Sequence, residues 1–209
     1  MTERRPIVHV VDDDESVRTG VVRLLQAAGF EARSYASAGE FLLGRFDRSA
    51  PGCVVLDVRM PGPNGLELQE ALAQLEVRLP IVFFTGHGDI PMSVRAMKAG
   101  AVDFLTKPVS RDALLASVRT ALARDAEARA AREGLRALRA RYETLTPRER
   151  EVFAGVVAGK LNKQIATDLG TAERTVKAHR AHMMEKMQVS SIAELVHVAD
   201  QLNAAAQQL

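Results

Sequence analysis

Tryptophan is absent from these 209 residues and aromatic side chains make up only 4% of them. Stacking of unpaired bases on aromatic platforms is thereby excluded as a main mechanism. Cysteine occurs once, at Cys53. One thiol can neither staple a domain nor build a zinc site, and its apolar surroundings read as those of a small buried hydrophobe, compatible with a reducing cytoplasm. No apolar run approaches the roughly 18 residues that a membrane helix needs. Residues 1–6 carry two arginines but are followed only by a five-residue apolar run interrupted by His9, so no export signal is visible and no membrane partner is expected. A dominant charge is missing as well. Lys/Arg against Asp/Glu run 15 to 15 over residues 1–124, 5 to 4 over 125–144 and 8 to 7 over 145–209. Any surface for nucleic acid must therefore be a local patch.

What is present is globular composition, 47% hydrophobic and 26% charged, in a chain long enough for one domain of about 120 residues and one of about 60. Residues 1–124 alternate short apolar runs with helical patterns. The spacing predicts strands at 7–11, 31–35, 53–56, 81–84 and 102–105, with helices at 16–28, 38–43, 65–75, 92–99 and 110–124. Strands one, three and four are nearly continuous Val/Ile/Leu/Phe and belong in the centre, whereas strand two alternates and belongs on an edge. Right-handed crossovers then favour a doubly wound parallel sheet of order 2-1-3-4-5, with a crevice outside the carboxyl ends of strands one and three.

From residue 110 to about 144 the chain is rich in Ala, Arg, Glu and Leu and predicts helix, either one long helix or a pair bent at Gly134. Leu135, Leu138, Tyr142 and Leu145 are spaced for a short coiled-coil seam; a solvated spacer is the other reading. After the cap and first-turn proline of Thr146-Pro147 come helices near 147–158, 162–168, 172–187 and 191–203, a compact all-α unit with a tight turn between its second and third helices.

Five polar residues fall at strand carboxyl ends: Asp12 and Asp13 after strand one, Asp57 after strand three, Thr85 after strand four and Lys107 after strand five. The sheet order converges them on one pocket. Three carboxylates at close quarters repel unless a cation joins them, and Mg²⁺ suits one or two carboxylates plus a phosphate oxygen. A carboxylate can attack phosphorus, a lysine can pair with the resulting dianion, and a threonine hydroxyl can donate to one of its oxygens.

With Val-Asp-Asp-Asp, Leu-Asp-Val-Arg-Met-Pro, Phe-Thr-Gly-His and Phe-Leu-Thr-Lys-Pro in place, residues 7–124 resemble the flavodoxin-like receiver domain of two-component response regulators, the FixJ branch in particular. The resemblance implies that Asp57 is the phosphoacceptor, phosphorylated by a sensor histidine kinase. It implies that Asp13, Asp57 and the backbone carbonyl of Arg59 bind Mg²⁺, with Asp12 acting through water, and that Thr85 and Phe104 form a switch pair. Lys107-Pro108 resembles the family's cis peptide, and Arg59 and His87 stand where side chains tune dephosphorylation.

In the tail, residues 175–180 put hydroxyl, ammonium and guanidinium donors on the first turns of one helix, as insertion of a helix N-terminus into the major groove requires. Val176, Met183, Met184 and Met187 supply the opposite, packed face. With Leu-Thr-Pro-Arg-Glu-Arg-Glu-Val and Thr-Val-Lys-Ala-His, residues 145–205 resemble the LuxR-type DNA-binding domain. That resemblance implies that Lys177, Ala178 and Ala181 face bases of double-stranded promoter DNA, with Arg180 an additional contact. Lys160, Asn162, Lys163, Arg174 and Thr175 are placed near phosphates. Ala181 departs from relatives with lysine there, so operator preference is not inherited.

The expected organisation is a receiver at 1–124, a helical linker at 125–144 and a helix-turn-helix domain at 145–209, forming a homodimer on phosphorylation. Two other classes compete. A Mg²⁺-dependent phosphohydrolase would want a second acid two residues after Asp57, where this chain has Arg59; a phosphate sink would not need the donors at 175–180.

Overall fold

The computed structural model describes residues 5–44, 50–86 and 88–206, so expectations at His87 and at residues 1–4 lie outside the described residues. Contacts divide the chain into two compact units, Met1–Arg129 and Ala130–Leu209.

The first unit is a five-stranded parallel sheet of β1 Ile7–Val11, β2 Glu31–Tyr35, β3 Gly52–Leu56, β4 Ile81–Thr85 and β5 Asp103–Thr106. Its order is β2-β1-β3-β4-β5. Helices α1 Glu15–Ala27, α2 Ala38–Leu43, α3 Gly65–Gln74 and α4 Ile90–Lys98 make the four crossovers, and α5 Arg111–Glu143 follows β5. The doubly wound fold follows from the two-sided burial of the central strands: every residue of β3 and β4 is buried, while edge strand β2 buries only Tyr35 fully. Leu56, Phe83, Leu68 and Leu72 fill one face of the sheet, and Val10, Val82, Leu115 and Val118 the other.

Helix starts follow local chemistry. Asp14, Ser37, Asn64 and Asp89 cap α1, α2, α3 and α4, and Asn64 with Glu67 forms a reciprocal capping box. Helix α5 is continuous through Gly134.

The second unit contains α6 Pro147–Val157, α7 Asn162–Asp168, α8 Glu173–Met187 and α9 Ile192–Ala206. Val152, Ile165, Val176, Met183, Met187 and Leu195 form its core. Leu138 and Tyr142, candidates for a coiled-coil seam, pack against that core, with the Tyr142 ring edge-on to Phe153 at 5.2 Å between centroids. Leu145 is buried there.

Cys53 is fully buried, and burial, then the charge of Asp125, push its thiol up to about 12. His9 carries a pH dependence. Only 3% exposed, with Nδ1 3.0 Å from the Tyr35 hydroxyl, it is held down to about 4 by burial and by the Arg33 charge. Its folded pKa lies below the ordinary 6.5, so its stabilisation is complete above that value and is lost as pH falls toward 4. About 2 kcal/mol should be gone by pH 5. Urea unfolding at pH 7.5 and pH 5, with NMR titration of the ring, checks this; a native His9 titrating at its ordinary value would refute it.

Candidate functional site

The ends of β1, β3, β4 and β5 build the site. Register sets them level: Val11 pairs with Leu56, and Thr85 with Thr106, so the residues that follow emerge at one edge of the sheet. Asp12 and Asp57 are 3% and 6% exposed, and both face a single ammonium. Lys107 Nζ lies 2.6 Å from Asp12 Oδ2 and 3.5 Å from Asp57 Oδ1. It also sits 4.8 Å from the centroid of the Phe84 ring, a cation–π arrangement that adds to its anchorage.

The remaining carboxylate oxygens accept from the backbone. The amide of Asp14 donates to Asp12 Oδ1 at 2.9 Å, and that of Arg59 to Asp57 Oδ2 at 2.9 Å. Arg18 Nη1 donates to the carbonyls of Asp12 at 2.7 Å and Asp13 at 3.3 Å, pinning the acidic loop. Asp13, next in the chain, is exposed. Burial raises the Asp12 carboxyl above its ordinary range, although Lys107 pulls it down. One lysine thus answers two buried carboxylates, and burial of the uncompensated charge is the larger effect.

Gly65 opens α3 where the chain turns back past the end of β3. A Cβ on it would stand 2.3 Å from the Asp57 carbonyl oxygen, so only glycine lets α3 start this close to the acceptor strand. Thr85 is completely buried, and its carbonyl accepts from the Lys107 amide at 2.7 Å. The Lys107-Pro108 peptide is cis. Phe104 is half-buried, its ring 5.7 Å from that of Phe83.

Among the described residues, no three acidic, histidine or cysteine side chains gather as a ready-made metal cage. The donor set fits a different kind of ion. Two buried carboxylates with one counter-cation, an adjacent exposed aspartate and nearby backbone carbonyls suit a hard, hydrated divalent cation that keeps several waters, as Mg²⁺ does.

In the second unit, Lys177, Ala178, Ala181 and Arg174 are exposed on α8, and Thr175 is half-buried. Lys160 and Lys163 are exposed before and within α7. Val176, Met183 and Met187 are buried behind them, which leaves the polar face of α8 outward. Arg180 Nη1 donates to Asn162 Oδ1 at 3.0 Å, joining two of the expected contact residues across the helix-turn-helix. Lys160 pairs with Asp168 at 2.7 Å and Lys177 with Glu173 at 3.4 Å. These exposed pairs are weak enough to exchange for phosphate.

Sequence reasoning missed Arg18 and Asp14. Asp14 carried the signal of a helix cap, and Arg18 stands one turn beyond it.

Comparison with known proteins agrees with this geometry. Residues 8–119 match the family described as response regulator receiver domain, and residues 143–199 that described as bacterial regulatory proteins, luxR family. Nodulation protein W of Bradyrhizobium diazoefficiens is 46% identical over 202 residues, spanning 97% of this chain and 88% of that protein. The solved structure of the response regulator StyR is 49% identical, covers 94% of this chain and 99% of its own, and has a TM-score of 0.84. Full-length FixJ from B. japonicum is 39% identical over 96% of this chain and 98% of its own, with a TM-score of 0.58.

Proposed function

Because this chain belongs to the response regulators that join a receiver domain to a LuxR-type DNA-binding domain, we propose that Asp57 takes a phosphoryl group from the histidine of a partner sensor kinase and thereby controls transcription from promoter DNA. The protein is a regulator rather than an enzyme acting on an external substrate. In this reading residues 1–124 are the receiver, 125–144 the linker and 145–209 the reader, working in the cytoplasm where promoters are. No described helix is long and apolar enough to cross a membrane.

The observation that carries the proposal is the single Lys107 ammonium shared by the two buried carboxylates of Asp12 and Asp57. An Asp57 oxygen attacks phosphorus as the phosphorus–nitrogen bond of the phosphohistidine breaks. The imidazole leaves with the electron pair and the phosphoryl group stays on Asp57. Asp13, Asp57 and the Arg59 carbonyl would hold Mg²⁺, with Asp12 linked through water; when bound it neutralises charge on the transferred oxygens. Lys107 turns from the carboxylates to a phosphoryl oxygen. Thr85 donates its hydroxyl to another, and Phe104 moves into the space that Thr85 leaves. Transfer and later hydrolysis involve only the protein's own aspartate.

The output is a homodimer formed through α4, β5 and α5. Ile90, Val94 and Met97 support it, since they lie on one stripe of α4 at 80%, 46% and 44% exposure. Two readers joined this way gain effective concentration on a two-half-site operator. Lys177, Ala178, Ala181 and Arg180 face bases, while Lys160, Asn162, Lys163, Arg174 and Thr175 hold phosphates. Ala172 gives α8 no side-chain cap, which favours phosphate at its first-turn amides.

Sizing the full chain with and without acetyl phosphate and Mg²⁺, alongside binding to promoter fragments, tests the whole reading. A protein that takes up phosphate yet stays the same size and binds DNA equally in both states would refute it. Within the reader, Lys177→Ala should weaken specific binding by about tenfold or more, and Lys163→Ala should lower the salt slope of binding by about one. Titrations at several salt concentrations separate the two; an unchanged slope for Lys163→Ala removes it from the phosphate contacts.

A further inference from the structure

Helix α4 is held unevenly. At its C-terminal end the Gln69 side chain, 6% exposed on α3, donates from Nε2 to the carbonyls of Ala96 and Ala99, each at 3.2 Å. Only the NH₂ end of an amide can meet two carbonyls, so both of its hydrogens are committed to carbonyls at the end of the helix. Ala96 is fully buried, and an Arg95–Glu70 ion pair at 2.7 Å crosses between the same two helices.

The N-terminal end is held by packing instead: Met92 lies against the core cluster of the sheet. Ile90 is 80% exposed, and Asp89 caps α4 through its own Met92 amide. A space of about 370 Å³ separates the start of the helix from the β3–α3 connection. It is lined by Val58, Asn64 and Leu66 on one side and by Asp89, Pro91 and Met92 on the other. Just before the helix, Gly88 lies against Phe104. A Cβ on Gly88 would stand 2.7 Å from the Phe104 ring, so the two are in intimate contact.

We infer that Gln69 is the pivot of α4, a positioning residue that fixes one end of the helix so that displacement of Thr85 and Phe104 swings the other. The inference rests on the proposed phosphorylation switch and adds how its motion is directed. With the C-terminal end pinned, a displacement of Phe104 against Gly88 tilts the helix about Ala96–Ala99 into the adjoining space rather than sliding it along α3. Ile90, about 10 Å along the axis from Met97, travels furthest, so the tilt re-aims the apolar stripe.

Gln69→Met tests this because it keeps the length and volume of the side chain and removes both donors. In the full chain with acetyl phosphate and Mg²⁺, the variant should be phosphorylated at the wild-type rate, since Gln69 touches no residue of the acidic pocket. The amides of Ala99, Gly100 and Ala101 should exchange with solvent about tenfold faster than in the wild type. The fraction of phosphorylated protein that dimerises should fall at least fivefold. Wild-type exchange at those three amides, or undiminished dimerisation of the phosphorylated variant, overturns the pivot and leaves Gln69 a packing residue. Gln69→Glu, which keeps the shape but offers oxygens in place of donors, should fail in the same way. A wild-type protein that is phosphorylated without dimerising would instead sink the underlying switch, and the exchange measurement would still judge the pivot.

Discussion

Asp57→Ala is expected to abolish phosphoryl uptake from acetyl phosphate in Mg²⁺ and to leave a folded protein that no longer changes size on treatment. The loss should be complete because no neighbour can replace the nucleophile. Asp12 is nearest in role, but Lys107 grips it at 2.6 Å, against 3.5 Å to Asp57. Asp13 is exposed, whereas Asp57 is buried beside Lys107. The fold should survive, because the substitution removes one of two buried carboxylates that share a single cation, and relief of repulsion offsets the lost contacts. Phosphate-affinity electrophoresis and thermal unfolding measure the two arms. Labelling of the variant at the wild-type rate would mean that the acceptor is elsewhere.

The second large effect is expected from Lys107→Met, which should both decouple phosphorylation from output and destabilise the receiver by about 3 kcal/mol or more at neutral pH. Side-chain exposures of 20% for Lys107 and 5% for Asp12 put this pair where solvent screens little. The sign with pH follows from Asp12. Its folded pKa already lies above the ordinary value through burial, and Lys107 is the main group opposing that rise. Without the ammonium the rise grows, so the charged form weighs against the folded state above that pKa and the penalty shrinks as protonation removes the charge. The variant should therefore lose most stability near pH 7.5 and recover part of it toward pH 5, opposite in direction to the contribution of His9. Urea unfolding across that range checks it, best read as the difference between variant and wild type, which cancels the His9 term. A loss independent of pH would show that Lys107 acts through packing rather than charge.

These effects explain why the site is costly to the fold. On the proposed function, the cluster receives a dianion and so is not fully neutralised beforehand: one lysine for two buried carboxylates would leave room for a divalent cation and then a phosphoryl group, at the cost of burying the Asp12 charge. The exposed stripe of α4 is comparable: Ile90, at 80% exposure, buries little within the chain and is available to the proposed dimer surface.

Much of this was legible in the amino-acid order. Strands β1 and β2 and helices α2 and α7 begin and end where apolar period, caps and glycines place them, α5 fills the helix expected from 110 to about 144, and the other elements lie within one or two residues of expectation apart from α9, which runs three residues further. The meeting of Asp12, Asp57 and Lys107 was readable because chain direction and sheet order alone send strand carboxyl ends to one edge. What escaped was any feature that depends on distance between side chains remote in sequence. The spacing of Leu138 and Tyr142 suits a seam between chains and a seam onto the reader equally well, and the structure uses them on the reader core. Gln69 has no motif, because a glutamine on an amphipathic helix reads as surface until the carbonyls of another helix come within 3.2 Å.

The sequence by itself determined the local periods, the helix caps and the kinds of chemical group at each strand end, since these are written in residues a few positions apart. Only the tertiary structure decided which carboxylate Lys107 takes first across 95 positions, that Arg180 reaches Asn162, and that Gln69 of α3 reaches the C-terminal carbonyls of α4. The physical reason is that hydrogen bonds and ion pairs form within a few ångströms, a tolerance set by how helices and strands pack against one another and not by the order of residues along any one of them.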